Sequence, residues 1–201
     1  MSLYFYVLVI VTIIVITGGI SSGKSFVLNY IGKLGYAVLY TDLIAKEVMQ
    51  SDYFLTALQQ HLNLDNIDIK KEIAINPSLL PFIESIVHPE VARIRHERIN
   101  NLLSKTSEVF IEIPLFFEKN LKNNFMQYGE LIVVSTICGL NRQIIRAKKR
   151  DKNLTDIMLQ IVLSKQFNDK QRVAGSKIII YTCKSKYSVK KAVQKLLKHF
   201  R

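Results

Sequence analysis

Hydrophobic positions in this chain fall into short runs separated by longer stretches of mixed, helix-period sequence. From Leu3 to Ile16 only Thr12 is polar, and eight of the ten residues 7–16 are Val or Ile. β-Branching stiffens such residues toward extended structure. Residues 9–17 are therefore predicted as a strand buried on both faces of a parallel sheet. The apolar run is 14 residues long, where a membrane-spanning helix needs about 20. Met1-Ser2 supplies no basic start for a signal peptide. The pattern thus argues against a membrane anchor. It leaves residues 1–8 as an added strand, a hydrophobic tail or a start-site extension.

Further along, the period alternates. The pattern predicts a helix from Lys24 to Leu34 and a strand over Tyr36–Tyr40. Helical, more polar sequence follows from Asp42 to Lys105, with breaks near Asn63–Asp68 and at Pro77, Pro81 and Pro89. Val109–Ile113, Leu131–Ser135 and Lys177–Tyr181 read as strands. Asn141–Arg150 and Thr155–Arg172 read as helices, and Ser188–Phe200 as an amphipathic one with Val189, Val193, Leu196 and Leu197 on one face. Strands alternating with helices imply an α/β fold with a five-stranded parallel sheet. The core is expected at 9–42, 108–149 and 174–201, a helical substrate subdomain at 43–107 and a short lid at 150–173.

Composition narrows the class. An apolar content of 49% with only 8 Gly and 4 Pro excludes disordered and collagen-like chains. Cys138 and Cys183 stand alone, without a CxxC or Cys/His cluster, which fits a reducing cytoplasm better than a zinc or disulfide framework. The net charge of +12 is uneven: residues 1–118 hold 9 basic and 12 acidic groups, residues 119–201 hold 19 and 4. The second half is thus expected to meet something anionic, or to present a solvated basic face. Aromatic residues do not interleave with basic ones as in a nucleic-acid motif, which argues against nucleic acid as the partner.

Gly18-Gly19-Ile20-Ser21-Ser22-Gly23-Lys24-Ser25 matches GxxxxGK[ST] in full, after a predicted strand and before a predicted helix. Backbone N–H groups in such a loop turn inward at the helix N-terminus and cradle phosphate oxygens. Residues 18–25, with Phe26 in the first helical turn, are the expected ATP-phosphate contacts. Lys24 should reach the terminal phosphates and the Ser25 hydroxyl should bind Mg²⁺. The fold expected is therefore a P-loop NTPase, three layers α/β/α. No guanine-recognition or switch motif is present, so a small-molecule kinase is favoured. Asp42, at the carboxyl end of the second strand, is expected to lie beside the phosphate loop. It reads either as a base for an acceptor hydroxyl or, with Thr41, as a cap of the helix that follows. Arg142, Arg146 and Arg150 recur every fourth residue, a stripe that could meet ATP phosphates.

Several segments resemble the dephospho-CoA kinase family. Thr17–Ser25 resembles its TGGIGSGKS, Tyr40-Thr-Asp42-Leu-Ile-Ala45-Lys46 its DADxIAR, and Ile86–Val91 its His-Pro pair. Glu112-Ile-Pro114-Leu-Phe-Phe-Glu118 resembles xxPLLFE, Gln143–Asp151 resembles QxxRxxxRD, and Ser164-Lys-Gln166 the end of RIxxQ. The resemblance implies transfer of the ATP γ-phosphate to the ribose 3′-hydroxyl of dephospho-CoA, in the cytoplasm. It assigns catalysis to Asp42, Lys24, Arg146 and Arg150, and acceptor contact to Asp42, His88 and Glu118. The chain departs from the pattern at Ser21, Tyr40, Lys46, Ile161 and Thr182. Two alternatives stand beside this reading: another metabolite kinase of the same architecture, or a non-catalytic phosphate- or nucleic-acid-binding relative.

Overall fold

The computed structural model of the chain describes residues 10–63, 76 and 78–200. The readings made for residues 1–8, for Pro77 and for most of the 63–68 break lie outside them. The chain divides into two compact units, one running to Leu39 and resuming at Leu102, the other covering Tyr40–Asn101.

The first unit is built on a five-stranded sheet in the order β2-β3-β1-β4-β5. β1 is Thr12–Gly18, β2 Ala37–Tyr40, β3 Glu108–Glu112, β4 Glu130–Ile137 and β5 Ile178–Tyr181. β1 lies in the middle, in parallel register with β3 (Ile14 opposite Phe110) and with β4 (Ile14 opposite Ile132). All seven of its residues are buried, as its β-branched run predicts for a strand covered on both faces. Each fully buried Ile or Val is worth about 1.5–3 kcal/mol, so this strand is a main source of stability.

Helices α1 (Lys24–Lys33) and α9 (Lys186–Leu197) pack on each other. α1 buries Val27, Leu28 and Ile31; α9 buries Val189, Val193, Leu196 and Leu197, the face read from its period. Short α5 (Lys122–Met126), which had no periodic signal, follows β3, and α6 (Leu140–Arg150) follows β4. Parallel strands bring Gly18, Glu112, Ile137 and Tyr181 to one edge of the sheet, where ligands of such folds sit. β3 separates β2 from β1, so Asp42 follows a strand that is not the immediate neighbour of the phosphate-loop strand.

The single helix expected over Thr155–Arg172 is two: α7 (Asp156–Ser164) and α8 (Asp169–Gly175). Asn168 ends the run. Its side chain accepts the Gln171 N–H while the Gln171 side chain accepts the Asn168 N–H, a reciprocal cap that starts a new helix.

The second unit holds α2 (Thr41–Met49), α3 (Asp52–Leu62) and α4 (Leu79–Leu103). Ser51 caps α3 by accepting the Phe54 N–H. α4 runs through both Pro81 and Pro89, where breaks were expected. Pro81 falls in the first turn, where no backbone donor is needed. Pro89 forfeits one helical bond. The buried stripe Leu79, Ile83, Val87, Val91 and Ile99 holds the helix across it.

Candidate active site

The phosphate loop begins where β1 ends. Gly18 has φ 152° and Gly23 φ 98°, and Gly23 occupies the N-cap of α1 with no side chain capping it. The first-turn N–H groups of α1 therefore have no helical partner, the condition that suits them to an anion. Ser22 Oγ and Thr136 Oγ1 share a hydrogen bond of 2.7 Å, and Thr182 Oγ1 donates to the Ser22 carbonyl, tying the loop to β4 and to the end of β5. Lys24 is buried, its Nζ donating to the carbonyls of Gly18 (3.0 Å) and Gly19 (2.9 Å). Its ammonium thus sits folded on its own loop. Ser21, where the family has glycine, carries φ 52°, and its buried Oγ has no partner. Ile20 and Phe26 are half-buried at the two ends of the turn.

Ser25 Oγ donates to Glu112 Oε1 at 3.0 Å, and Glu112 is buried at the carboxyl end of β3. A hydroxyl and a carboxylate together are hard oxygen donors, the chemistry Mg²⁺ selects. The residues present therefore fit the divalent cation that Ser25 was expected to bind. Glu112 carries no motif signal of its own as a site residue, although it opens the Glu112–Glu118 segment. Its position just before Pro114, at the end of an apolar strand, was the available signal.

The arginine stripe on α6 does not point uniformly. Arg142 donates to the Cys183 carbonyl and Arg146 Nη2 to the Thr182 carbonyl at 2.7 Å; Arg150 is exposed. Arg146 thus reaches the phosphate loop through Thr182, which contacts Ser22. Beside it, burial pushes the Cys138 thiol above its ordinary pKa, with the Arg146 charge and a Thr182 hydrogen bond opposing.

The segment 150–173, expected as a lid, contributes residues that the sequence left unassigned. Gln166 Oε1 accepts the Ile20 N–H at 2.9 Å. Asp169 accepts the Gly139 N–H at 3.1 Å and the Gln143 side-chain amide at 3.3 Å. Glu118, expected as an acceptor contact, pairs with the fully buried Arg172. Burial lowers the Arg172 pKa, and Glu118 works against that shift.

In the helical unit, Asp42 is exposed in the first turn of α2. The N-cap is Tyr40 and no side chain caps the helix, so neither Thr41 nor Asp42 fills the capping role. His88 is exposed in the middle of α4.

A parallel sheet with a GxxxxGK[ST] loop between its central strand and α1, and a buried lysine in that loop, define a P-loop kinase fold. Solved structures agree. One from Thermus thermophilus matches at TM-score 0.75 and 24% identity over 95% of this chain and 98% of that one. A dephospho-CoA kinase from Campylobacter jejuni matches at TM-score 0.69 and 21% identity over 94% and 96%. A shikimate kinase from Acinetobacter baumannii matches at 0.54 and 17% over 94% and 93%. Within that class the sequence is decisive. The dephospho-CoA kinase family profile matches residues 12–186. A dephospho-CoA kinase of a gamma-proteobacterium is 30% identical over 92% of this chain and 94% of its own length. One from Helicobacter pylori J99 is 32% identical over 92% and 95%. The chain belongs to the dephospho-CoA kinase family.

Proposed function

We propose that the protein transfers the γ-phosphate of ATP to the ribose 3′-hydroxyl of dephospho-CoA, giving coenzyme A and ADP, the last step of coenzyme A synthesis. The observation that carries this reading is that the family match spans both the phosphate loop and the helical Tyr40–Asn101 unit. A shared P-loop core alone would not favour one acceptor over another.

In this reading the phosphates lie in the loop 18–26 on its uncommitted N–H groups and those of the first turn of α1, with the Ile20 N–H held by Gln166, and Lys24 turns from its loop carbonyls toward them. Ser25 and Glu112 would hold Mg²⁺, which neutralises phosphate charge when bound. Arg146 and Arg150 stabilise charge that spreads over the transferring group. Asp42 accepts the proton of the acceptor hydroxyl; its exposed carboxylate, unused as a helix cap, supports that role. His88 contacts the acceptor. The unpaired thiols of Cys138 and Cys183 support a cytoplasmic setting. Among the described residues no helix is long and apolar enough to cross a membrane.

The test is coupled ADP release over a panel of acceptors with ATP and Mg²⁺. Release that depends on dephospho-CoA, and not on AMP, shikimate or gluconate, is expected. Asp42→Asn should then lower kcat by about 10²–10⁴-fold, the range for loss of a general base, with ATP binding retained. Release with shikimate or gluconate instead would reassign the acceptor. No release with any acceptor would favour a non-catalytic phosphate binder.

A further inference from the structure

Two backbone groups of the 150–173 segment are held by one buried ion pair. Glu118 Oε1 accepts the Phe167 N–H at 2.7 Å and also the Arg172 guanidinium; Arg172 Nε donates to the Phe167 carbonyl at 3.1 Å. Both polar groups of the Phe167 backbone are thus fixed. The rings of Phe117 and Phe167 stack, nearly parallel, 6.3 Å apart. A Cβ on Gly175 would come within 2.7 Å of the Phe117 ring, so α8 packs closely on this segment. Glu118 Oε2 and Arg172 Nη1 are buried without a partner. A pair that leaves two buried polar atoms unsatisfied is a poor source of stability, since two apolar side chains of that volume would cost less.

The residue before Phe167 is Gln166, whose Oε1 accepts the Ile20 N–H of the phosphate loop. We propose that Gln166 is a positioning residue for the phosphate loop, and that the Glu118–Arg172 pair acts through it by fixing the Phe167 backbone. The site gains a loop set in the phosphate-binding shape before nucleotide arrives, so that less ordering is left for binding to supply. Nearby loop geometry needs such support: Ser21, next to Ile20, sits at φ 52°, where a non-glycine residue is strained. A cavity of about 570 Å³, lined in part by Gln143, Gln166, Asn168 and Asp169, adjoins the contact. Water can therefore replace a truncated Gln166 side chain, and the N–H would stay solvated but unpositioned.

The inference rests on the loop as an ATP site and not on the acceptor. Its test is the affinity of a fluorescent ATP analogue for the full chain, which needs no acceptor. Gln166→Ala should weaken binding by roughly 3–10-fold, the worth of one hydrogen bond. Glu118→Ala should weaken it similarly, and by less than about twofold more when Gln166 is already Ala, because coupled residues are not additive. Glu118→Gln keeps an acceptor for the Phe167 N–H and should restore the parent affinity. A purely structural pair would lower thermal stability in both backgrounds while leaving affinity alone, or would shift affinity equally in both; either result overturns the proposal. Gln166 is only half-buried, so Gln166→Ala remains decisive if Glu118→Ala does not fold: unchanged affinity there also overturns it. A parent that binds the analogue but does not phosphorylate dephospho-CoA would sink the acceptor assignment and leave this inference standing.

Discussion

Replacing Gly18 by Ala tests how tightly the phosphate loop is built. A Cβ at Gly18 would lie 2.4 Å from Thr136 Oγ1, 2.5 Å from Ser22 Oγ and 2.7 Å from the Thr136 carbonyl. The first two are the partners of the 2.7 Å hydrogen bond that ties the loop to β4, and the third is strand backbone that cannot rotate away. The new carbon would therefore part that bond and push β4 from β1. Gly35 is the control: its φ of 89° is also unfavourable to alanine, but nothing lies within 4 Å of its Cβ position. The backbone strain common to both is about 1–2 kcal/mol. Overpacking adds about 1–3 kcal/mol at Gly18 alone, and the lost hydrogen bond about 0.5–1.5 kcal/mol. Gly18→Ala should thus cost about 2.5–6.5 kcal/mol and Gly35→Ala about 1–2 kcal/mol. At roughly 2–4 °C per kcal/mol for a chain of this size, that is a Tm loss of about 5–26 °C against about 2–8 °C. Urea unfolding of the two variants, read by circular dichroism, measures the difference directly. If they fall within about 1 kcal/mol of each other, the close contacts at Gly18 do not carry the energy assigned to them.

Other consequences are equally accessible. Lys24→Ala should abolish phosphoryl transfer, because it removes the one cation of the loop that can turn from the Gly18 and Gly19 carbonyls to the phosphates; near-parent turnover would remove it from the mechanism. Arg150→Ala, at an exposed position, should lower kcat more than ATP affinity, whereas Arg146→Ala should also loosen the Thr182 loop and raise KM for ATP; equal effects would deny the distinction. Ser21→Gly should stabilise the chain by about 1 kcal/mol by relieving the strained φ, and an unchanged urea midpoint would show that Ser21 bears no strain. Burial raises the Cys138 pKa, so the folded state keeps this proton longer than the unfolded state does. Stability should then be full below the ordinary thiol pKa of about 8.5 and fall as pH rises past it, and Cys138→Ala should flatten that decline.

The elements that could be read from sequence were those whose period depends on few partners. β1 declares itself because a strand covered on both faces is apolar throughout, and α9 because its buried face recurs at helical spacing. The phosphate loop is legible because its glycines and lysine lie next to one another in the chain. Helix bounds were less legible, because a continuous period hides a local cap and a proline marks a break that packing can override. Nothing local marks Pro89 as tolerated; the buried stripe of α4 outweighs one lost hydrogen bond. Thr155–Arg172 carries a continuous helical pattern, and the Asn168–Gln171 cap interrupts it. Glu118 and Arg172 are 54 residues apart, and Ile20 and Gln166 are 146, separations across which periodicity carries no information.

The departures from the family pattern now have physical content. Thr182 stands where the family has asparagine, yet it ties β5 to the loop through Ser22 and to β4 through Ile137, so the end of β5 stays anchored. Ser21 keeps the turn at a cost in strain. Ile161 replaces a lid arginine and is 52% exposed, so it removes a charge without adding to the core. Tyr40 begins α2 without a side-chain cap, where an aspartate would both cap the helix and add charge beside Asp42. The change at Thr182 is thus compensated by contacts, and those at Ser21, at Ile161 and at the start of α2 are not. In the proposed reading, the expectation for such a chain is that ATP binding persists while charge at the lid and beside Asp42 is reduced. Variants should accordingly be compared with this parent and not with a faster relative. An ATP affinity typical of P-loop kinases together with a reduced kcat is the combination that this distribution of changes predicts.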